Sequence, residues 1–197
     1  MSQAFGHFRV GFVTGATPDK WARTWRERYA RDPFELVPVS EEDQEERIRE
    51  GTLDMTLVRL PVDRDGLHCI PLYDELPVAV IGSEHLLTLA EEVTTADLAD
   101  EQLVLPHSSG WTPDADQLAW PEMTVKDAVE VVASGTGVVI VPMSVARLHH
   151  RKDVTYRVVT DLPATTIGLA WLVDNEDPWV QRFIGIVRGR SERSSRG

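Results

Sequence analysis

The chain has 197 residues, with 20 Lys and Arg against 32 Asp and Glu, a formal net charge of −12. A content of 42% hydrophobic and 26% charged residues belongs to a globular protein and excludes a disordered or fibrous chain. The acidic balance has the wrong sign for gripping nucleic acid alone, which needs clustered Lys and Arg, and the single cysteine, Cys69, excludes an internal disulfide framework.

A first strand is expected at residues 8–13 (FRVGFV), ending in Thr14-Gly15-Ala16-Thr17. Thr17-Pro18-Asp19 reads as a helix start, with a hydroxyl cap, a proline at the first helical position and an acid in the first turn. That helix runs to about Ala30, with Trp21, Trp25 and Tyr29 on one face. A second strand follows at 34–39, and Ser40 caps an acidic helix over 41–50 that Gly51 stops. Strands are expected at 54–60 and 67–73. The alternation of strand and helix with short links implies parallel strands and right-handed crossovers.

A second set begins with a strand at 76–81. Thr94 caps a short helix through Leu98, and residues 102–105 read as a strand. Residues 106–123 read as loop, with one helical turn after Thr112-Pro113. Thr124 caps the clearest helix of this half, 125–133, with Asp127 completing part of a capping box. A buried-type strand at 138–141, a helix at 142–150, strands at 155–159 and 166–173, and a helix capped by Asp177-Pro178 and reaching about Arg188 complete the series. The Arg-rich end, 188–197, reads as a flexible tail. The first residues carry no basic head followed by an apolar run, and no stretch approaches the ~20 apolar residues of a membrane span. The compartment expected is the cytoplasm, with no membrane partner.

Enzyme signatures are missing from this series. There is no G-x-S-x-G elbow and no G-x-x-x-x-G-K-[ST] loop. Gly135-Thr136-Gly137 sits between a helix and the following strand, the reverse of a dinucleotide turn, and reads as a helix stop. The histidines show no metal-ligand spacing, so no metal is expected. His107-Ser108-Ser109 pairs a base with a hydroxyl, but nothing nearby supplies an orienting acid, and the residues read first as polar loop. The basic run of Arg147, His149, His150, Arg151 and Lys152 reads as a solvated helix end. What remains are two helix N-termini that follow strand ends, at residues 14–17 and at Thr124. Each offers backbone N–H groups, a positive dipole end and a hydroxyl, the makings of a site for a small anion such as a carboxylate.

Taken in order, FRVGFVTG, FELVPVSEEDQEERIREGTLDMTLVRLP, GLHCIPLYDELPVAVIGSEHLLT, VTTADLADEQLVLP and VKDAVEVVASGTGVVIVPMSVARL resemble the effector-binding (substrate-binding) domain of LysR-type transcriptional regulators across about 180 residues. The resemblance implies an α/β fold of two Rossmann-like subdomains joined by two crossover strands, as in type II periplasmic binding proteins. Subdomain I would be 8–75 plus 163–190, subdomain II 76–162, and 191–197 a flexible tail. It also implies a small organic acid effector in the cleft, met by Thr14, Gly15, Ala16, Thr17 and Thr124 and by Pro106, His107, Ser108 and Ser109. Arg59 would be a charged wall. A homodimer is implied, with Trp21 and Trp25 on a helix that could contribute, although core packing explains them as well. No cofactor is implied. Only seven residues precede the first strand, so DNA would be reached only through a missing or separate helix-turn-helix. A solute-binding protein or a small enzyme on the same fold is the alternative.

Overall fold

The computed structural model describes residues 6–189, and the expected flexible tail at 191–197 lies outside them. The chain divides into two compact units, Met1–Tyr73 with Thr166–Gly197 and Asp74–Thr165. In chain order the strands are β1 (Phe8–Val13), β2 (Phe34–Val39), β3 (Met55–Arg59), β4 (Leu67–Glu75), β5 (Pro77–Gly82), β6 (Glu92–Val93), β7 (Val139–Pro142), β8 (Val154–Val159) and β9 (Thr165–Leu172). The helices are α1 (Asp19–Arg28), α2 (Glu46–Arg49), α3 (Val125–Ala133), α4 (Met143–Leu148) and α5 (Pro178–Val187). The chain leaves the first unit along β4 and returns to it along β9, so these are the two crossover strands.

The first unit is built on a five-stranded sheet of order β2-β1-β3-β9-β4. β1 pairs in parallel with both β2 and β3, while β9 runs antiparallel to β3. All five residues of β3 are buried, and it reads as a continuous run because both of its faces are covered. Where β1 passes β3, a Cβ on Gly11 would lie 2.7 Å from both Leu53 and Thr56, so only glycine fits. On one face α1 and α5 close over an aromatic core of Phe8, Trp25 and Phe183, with Phe34 and Trp179 partly buried against it. Trp25 is fully buried there, which makes it a core residue and removes it from any exposed face.

The second unit has a four-stranded sheet of order β6-β8-β5-β7. Here β5 is antiparallel to both β7 and β8, and only β6 and β8 pair in parallel. Alternate residues of β5 serve two cores. Val78 and Val80 pack with Val129, Val132 and Val139 under α3, while Ala79 and Ile81 pack with Leu98, Val138 and Ile140 on the other side. A strand buried on both sides needs no polar alternation, which accounts for the sequence PVAVI.

Several local expectations are corrected. The helix expected over 41–50 is a run of turns followed by the short α2. Like charges at four-residue spacing, Glu41 with Glu45 and Glu42 with Glu46, oppose a helix there. The side chains of Glu41 and Gln44 are instead engaged by Arg59. Thr17 does not cap α1: the cap position is Pro18 and no side chain bonds the helix end. Residues 102–105 form only a bridge, Leu103 to Val138. The reason lies in two glutamines that tie 102–103 to 116–118 in place of a neighbouring strand. Gln117 Oε1 accepts from Leu103 N–H at 2.7 Å, and Gln102 Oε1 accepts from Leu118 N–H at 2.8 Å. The same ties hold the segment after Thr112-Pro113 in an irregular course with a bend at 114–115, in place of the helical turn expected there.

Asp54, just before β3, accepts a hydrogen bond from Arg9 N–H at 2.7 Å. Burial pushes its carboxyl up from the ordinary Asp value; the Arg9 N–H opposes this, and the Asp177 carboxylate adds to it. A raised folded-state value means that the native protein holds the proton more tightly than the unfolded chain does. The ionised form therefore costs stability at neutral pH, and that cost is relieved as pH falls through the folded value. Asp54→Asn keeps an acceptor for Arg9 without the charge. The variant is expected to melt at or above the wild-type temperature near pH 7, with the difference fading toward about pH 4. Calorimetry across that range checks it.

Candidate functional site

The register of the first unit brings three strand ends together. Val13 is opposite Val39, and Phe12 is opposite Leu57. The chain therefore leaves β1, β2 and β3 at the same edge, at Thr14, Ser40 and Arg59 respectively. Ligands of open parallel sheets sit outside the carboxyl ends of strands. Gly15, at φ +88°, turns the chain sharply, and Ala16 N–H donates to Val13 O at 3.0 Å. Thr14 and Thr17 are exposed, and α1 starts without a side-chain cap. The first backbone N–H groups of α1 and its positive dipole end are thus not occupied by a side chain of its own.

Arg59 is only 6% exposed, and its guanidinium meets this loop at Thr14. Both terminal nitrogens donate to Thr14 O at 3.3 Å, and Nη1 also donates to the Glu41 carboxylate. The backbone of Arg59 is fixed as well. Its N–H donates to Gln44 Oε1 at 2.8 Å, and its carbonyl accepts from Gln44 Nε2 at 3.1 Å. The guanidinium thus ties β3 to the loop through the carbonyl of Thr14. Glu41 and Gln44 were not among the residues singled out from the sequence. Their partner lies 15 to 18 residues away, and no local spacing marks such a pairing.

In the second unit, Pro106, His107, Ser108 and Ser109 form a polar turn after the Leu103 bridge. His107 is half-buried and Ser108 and Ser109 are exposed. The Nδ1 of His107 lies 2.7 Å from Ser109 Oγ and 3.3 Å from Ser109 N–H, and Trp111 N–H donates to Ser109 Oγ at 3.3 Å. Burial holds the imidazole below its ordinary value, hence neutral near pH 7. With Ser109 donating to Nδ1, the proton of the neutral ring sits on Nε2, which then presents a donor. Gly110, at φ +77°, closes the turn by donating to His107 O at 2.9 Å.

Thr124 stands at the start of α3, and its hydroxyl is fully used there. It donates to Asp127 Oδ2 at 2.8 Å and accepts from Asp127 N–H at 3.2 Å in a complete capping box. The hydroxyl bond, together with Thr124 N–H donating to the same Oδ2 at 3.3 Å, holds the Asp127 carboxyl below the usual range. The N-terminus of α3 therefore already carries a carboxylate of its own, whereas that of α1 carries none in the capping position. Trp111 and Trp120 pack against the two cores of this unit. Among the described residues no helix is long and apolar enough to cross a membrane, and no three His, Cys, Asp or Glu side chains cluster as metal ligands.

Comparison with known proteins agrees with this architecture. The chain is 25% identical over 205 residues to the HTH-type transcriptional regulator AlsR of Bacillus subtilis (strain 168), covering 94% of this chain and 67% of that protein. It is 27% identical over 200 residues to the Hca operon transcriptional activator HcaR of Escherichia coli (strain K12), covering 92% and 67%. Among solved structures, the BenM effector binding domain with its effector benzoate superposes with a TM-score of 0.77 at 22% identity, over 93% of this chain and 90% of that one. At that identity the likeness shows the fold: a two-subdomain α/β arrangement of the periplasmic-binding-protein kind. The profile of the LysR substrate binding domain matches residues 2–192. The chain belongs to the LysR substrate binding domain family.

Proposed function

We propose that this chain is the ligand-sensing portion of a LysR-type transcriptional regulator and that its effector is a small organic anion. The observation that carries the anionic preference lies in the first unit. Three parallel strand ends meet there beside an uncapped helix N-terminus, with a guanidinium hydrogen-bonded to the loop at Thr14 O. A carboxylate placed against Thr14, Gly15, Ala16 and Thr17 would meet backbone N–H donors, two hydroxyls and a positive field. In the second unit Pro106, His107, Ser108 and Ser109 are the proposed contacts, with His107 Nε2 as a neutral donor. Thr124 is proposed to contribute its exposed surface, since its hydroxyl is engaged by Asp127.

The portion binds rather than catalyses in this reading. Ser109 meets His107 while also accepting Trp111 N–H, which is the arrangement of a closed turn. The chain spans 67% of the length of the two regulators above. DNA contact is assigned to a helix-turn-helix outside this portion, and the working form is proposed to be a cytoplasmic homodimer. A panel of aromatic and aliphatic carboxylates tests the effector class by thermal shift. A true effector at a hundredfold its Kd stabilises by about 2.7 kcal/mol, which is readily measured. Stabilisation by neutral analogues alone would overturn the anionic assignment.

A further inference from the structure

The 106–109 turn fixes the direction of a hydrogen-bond chain as well as its members. Trp111 packs against the core of Leu98, Val138 and Ile140, and its N–H donates to Ser109 Oγ at 3.3 Å. That hydroxyl keeps its own hydrogen, and Nδ1 of His107 lies 2.7 Å away to receive it. The Ser109 N–H, which can only donate, also reaches Nδ1, at 3.3 Å. Nδ1 is therefore held as an acceptor by two donors, and a proton there would face a backbone N–H. This disfavours both the Nδ1–H tautomer and the imidazolium, so the ring is neutral with its hydrogen on Nε2. Burial acts in the same direction, holding the imidazole below its ordinary value with no charged neighbour acting on it. Among the described residues Nε2 has no hydrogen-bond partner, and it is not sealed from solvent.

A neutral N–H open to solvent selects by the kind of atom that meets it. An ammonium or another N–H brings a donor to a donor. A carboxylate brings a charge and about four acceptor sites, of which one N–H answers a single one, and no cation acts on this ring to offset the rest. A hydroxyl or carbonyl oxygen brings acceptor lone pairs without a charge, and a single donor serves it at the least cost. We infer that His107 reads an uncharged oxygen, so that the effector is a monocarboxylate bearing a second, neutral oxygen group such as a hydroxyl, aldehyde or ketone. The inference rests on the reading that the 106–109 turn meets the effector. It adds a second functional group to the carboxylate, and it makes His107 the residue that tells such acids from plain carboxylates and from dicarboxylates.

Two measurements on the whole chain test it. Long-range nitrogen NMR of the His107 ring at neutral pH is expected to show one proton, on Nε2; a proton on Nδ1, alone or with Nε2, overturns the inference before any ligand is added. Titration calorimetry then compares benzoate with its ortho, meta and para formyl derivatives and with the three benzenedicarboxylates. At least one formylbenzoate is expected to bind about five- to tenfold tighter than benzoate, and the dicarboxylate of the same ring position to gain less. In His107→Leu the ratio of formylbenzoate to benzoate affinity is expected to fall to about one. His107→Gln, which keeps a neutral N–H donor, is expected to retain part of that ratio and so separates loss of the donor from damage to the turn. Equal affinities for benzoate and every formylbenzoate, a larger gain from a second carboxylate, or a ratio that survives in His107→Leu overturns the inference, while binding of benzoate itself leaves the anionic reading standing. If no probe binds, the inference is refuted, and the effector class is decided separately by the wider panel.

Discussion

Trp25→Ala is expected to lower the stability of the first unit by about 3–5 kcal/mol. Trp25 is fully buried and lies at the centre of an aromatic cluster. It stacks on Phe8 at 4.8 Å and on Phe34 at 5.5 Å, and it meets Tyr29 at 5.0 Å and Phe183 at 6.1 Å. These rings come from α1, β1, β2 and α5, so the indole joins the helical layer to the sheet. Its Nε1–H has no hydrogen-bond partner, so truncation strands no acceptor, and the loss is one of packing and transfer. Trp25→Phe, which removes an unsatisfied buried donor while keeping a ring, is expected to recover most of the loss. Urea unfolding of both variants checks the pair, and a Trp25→Ala loss under about 1 kcal/mol would contradict the central packing role.

Gly137→Ala is the second large effect, expected at about 2–4 kcal/mol. Gly137 has φ +67°, a region that L side chains rarely adopt. A Cβ there would also overlap the Gln102 carbonyl oxygen, a backbone atom with little room to retreat. That carbonyl accepts from Val138 N–H at 2.8 Å, and Val104 N–H donates to Val138 O at 2.9 Å. A methyl group at 137 thus pushes apart the bridge on which residues 103–105 rest. Since those residues lead straight into the 106–109 turn, the substitution is expected to alter the environment of His107 as well. A thermal melt gives the first effect and the imidazole NMR shift of His107 the second. Gly135→Ala is the contrast: its φ is +90°, but nothing lies within 4 Å of the added carbon. It should show the conformational part alone.

Most of the fold could be read from the sequence because its elements carry local marks. β1, β2 and α5 fall within a residue or two of the expected bounds, and the Thr124–Asp127 capping box is a three-residue pattern that the structure completes. What escaped was set by distant partners. The acidic stretch 41–50 looked helical from Ser40 onward, yet Glu41 and Gln44 answer to Arg59, which no periodicity records. Gln102 and Gln117 likewise replace a strand, each side chain bonding the backbone of the other's segment across 14 residues. The two hydroxyls that looked alike as helix caps also separate on inspection. Thr124 is consumed by Asp127, whereas Asp19 sits in the first turn of α1 without bonding a cap. Candidate residues were thus legible by type and place, and the difference between an occupied and an open helix end was not.

The Gln44 clasp has a consequence for how opening of the site can be followed. The amide hydrogen of Arg59 is held by a side chain from a turn, although Arg59 ends a strand whose other residues are held by β1 and β9. Its exchange with solvent deuterium is therefore governed by departure of the turn at 41–45, while exchange at Leu57 and Val58 requires the sheet itself to part. One backbone position then serves as a clock for the turn, readable without any label and without knowing the effector.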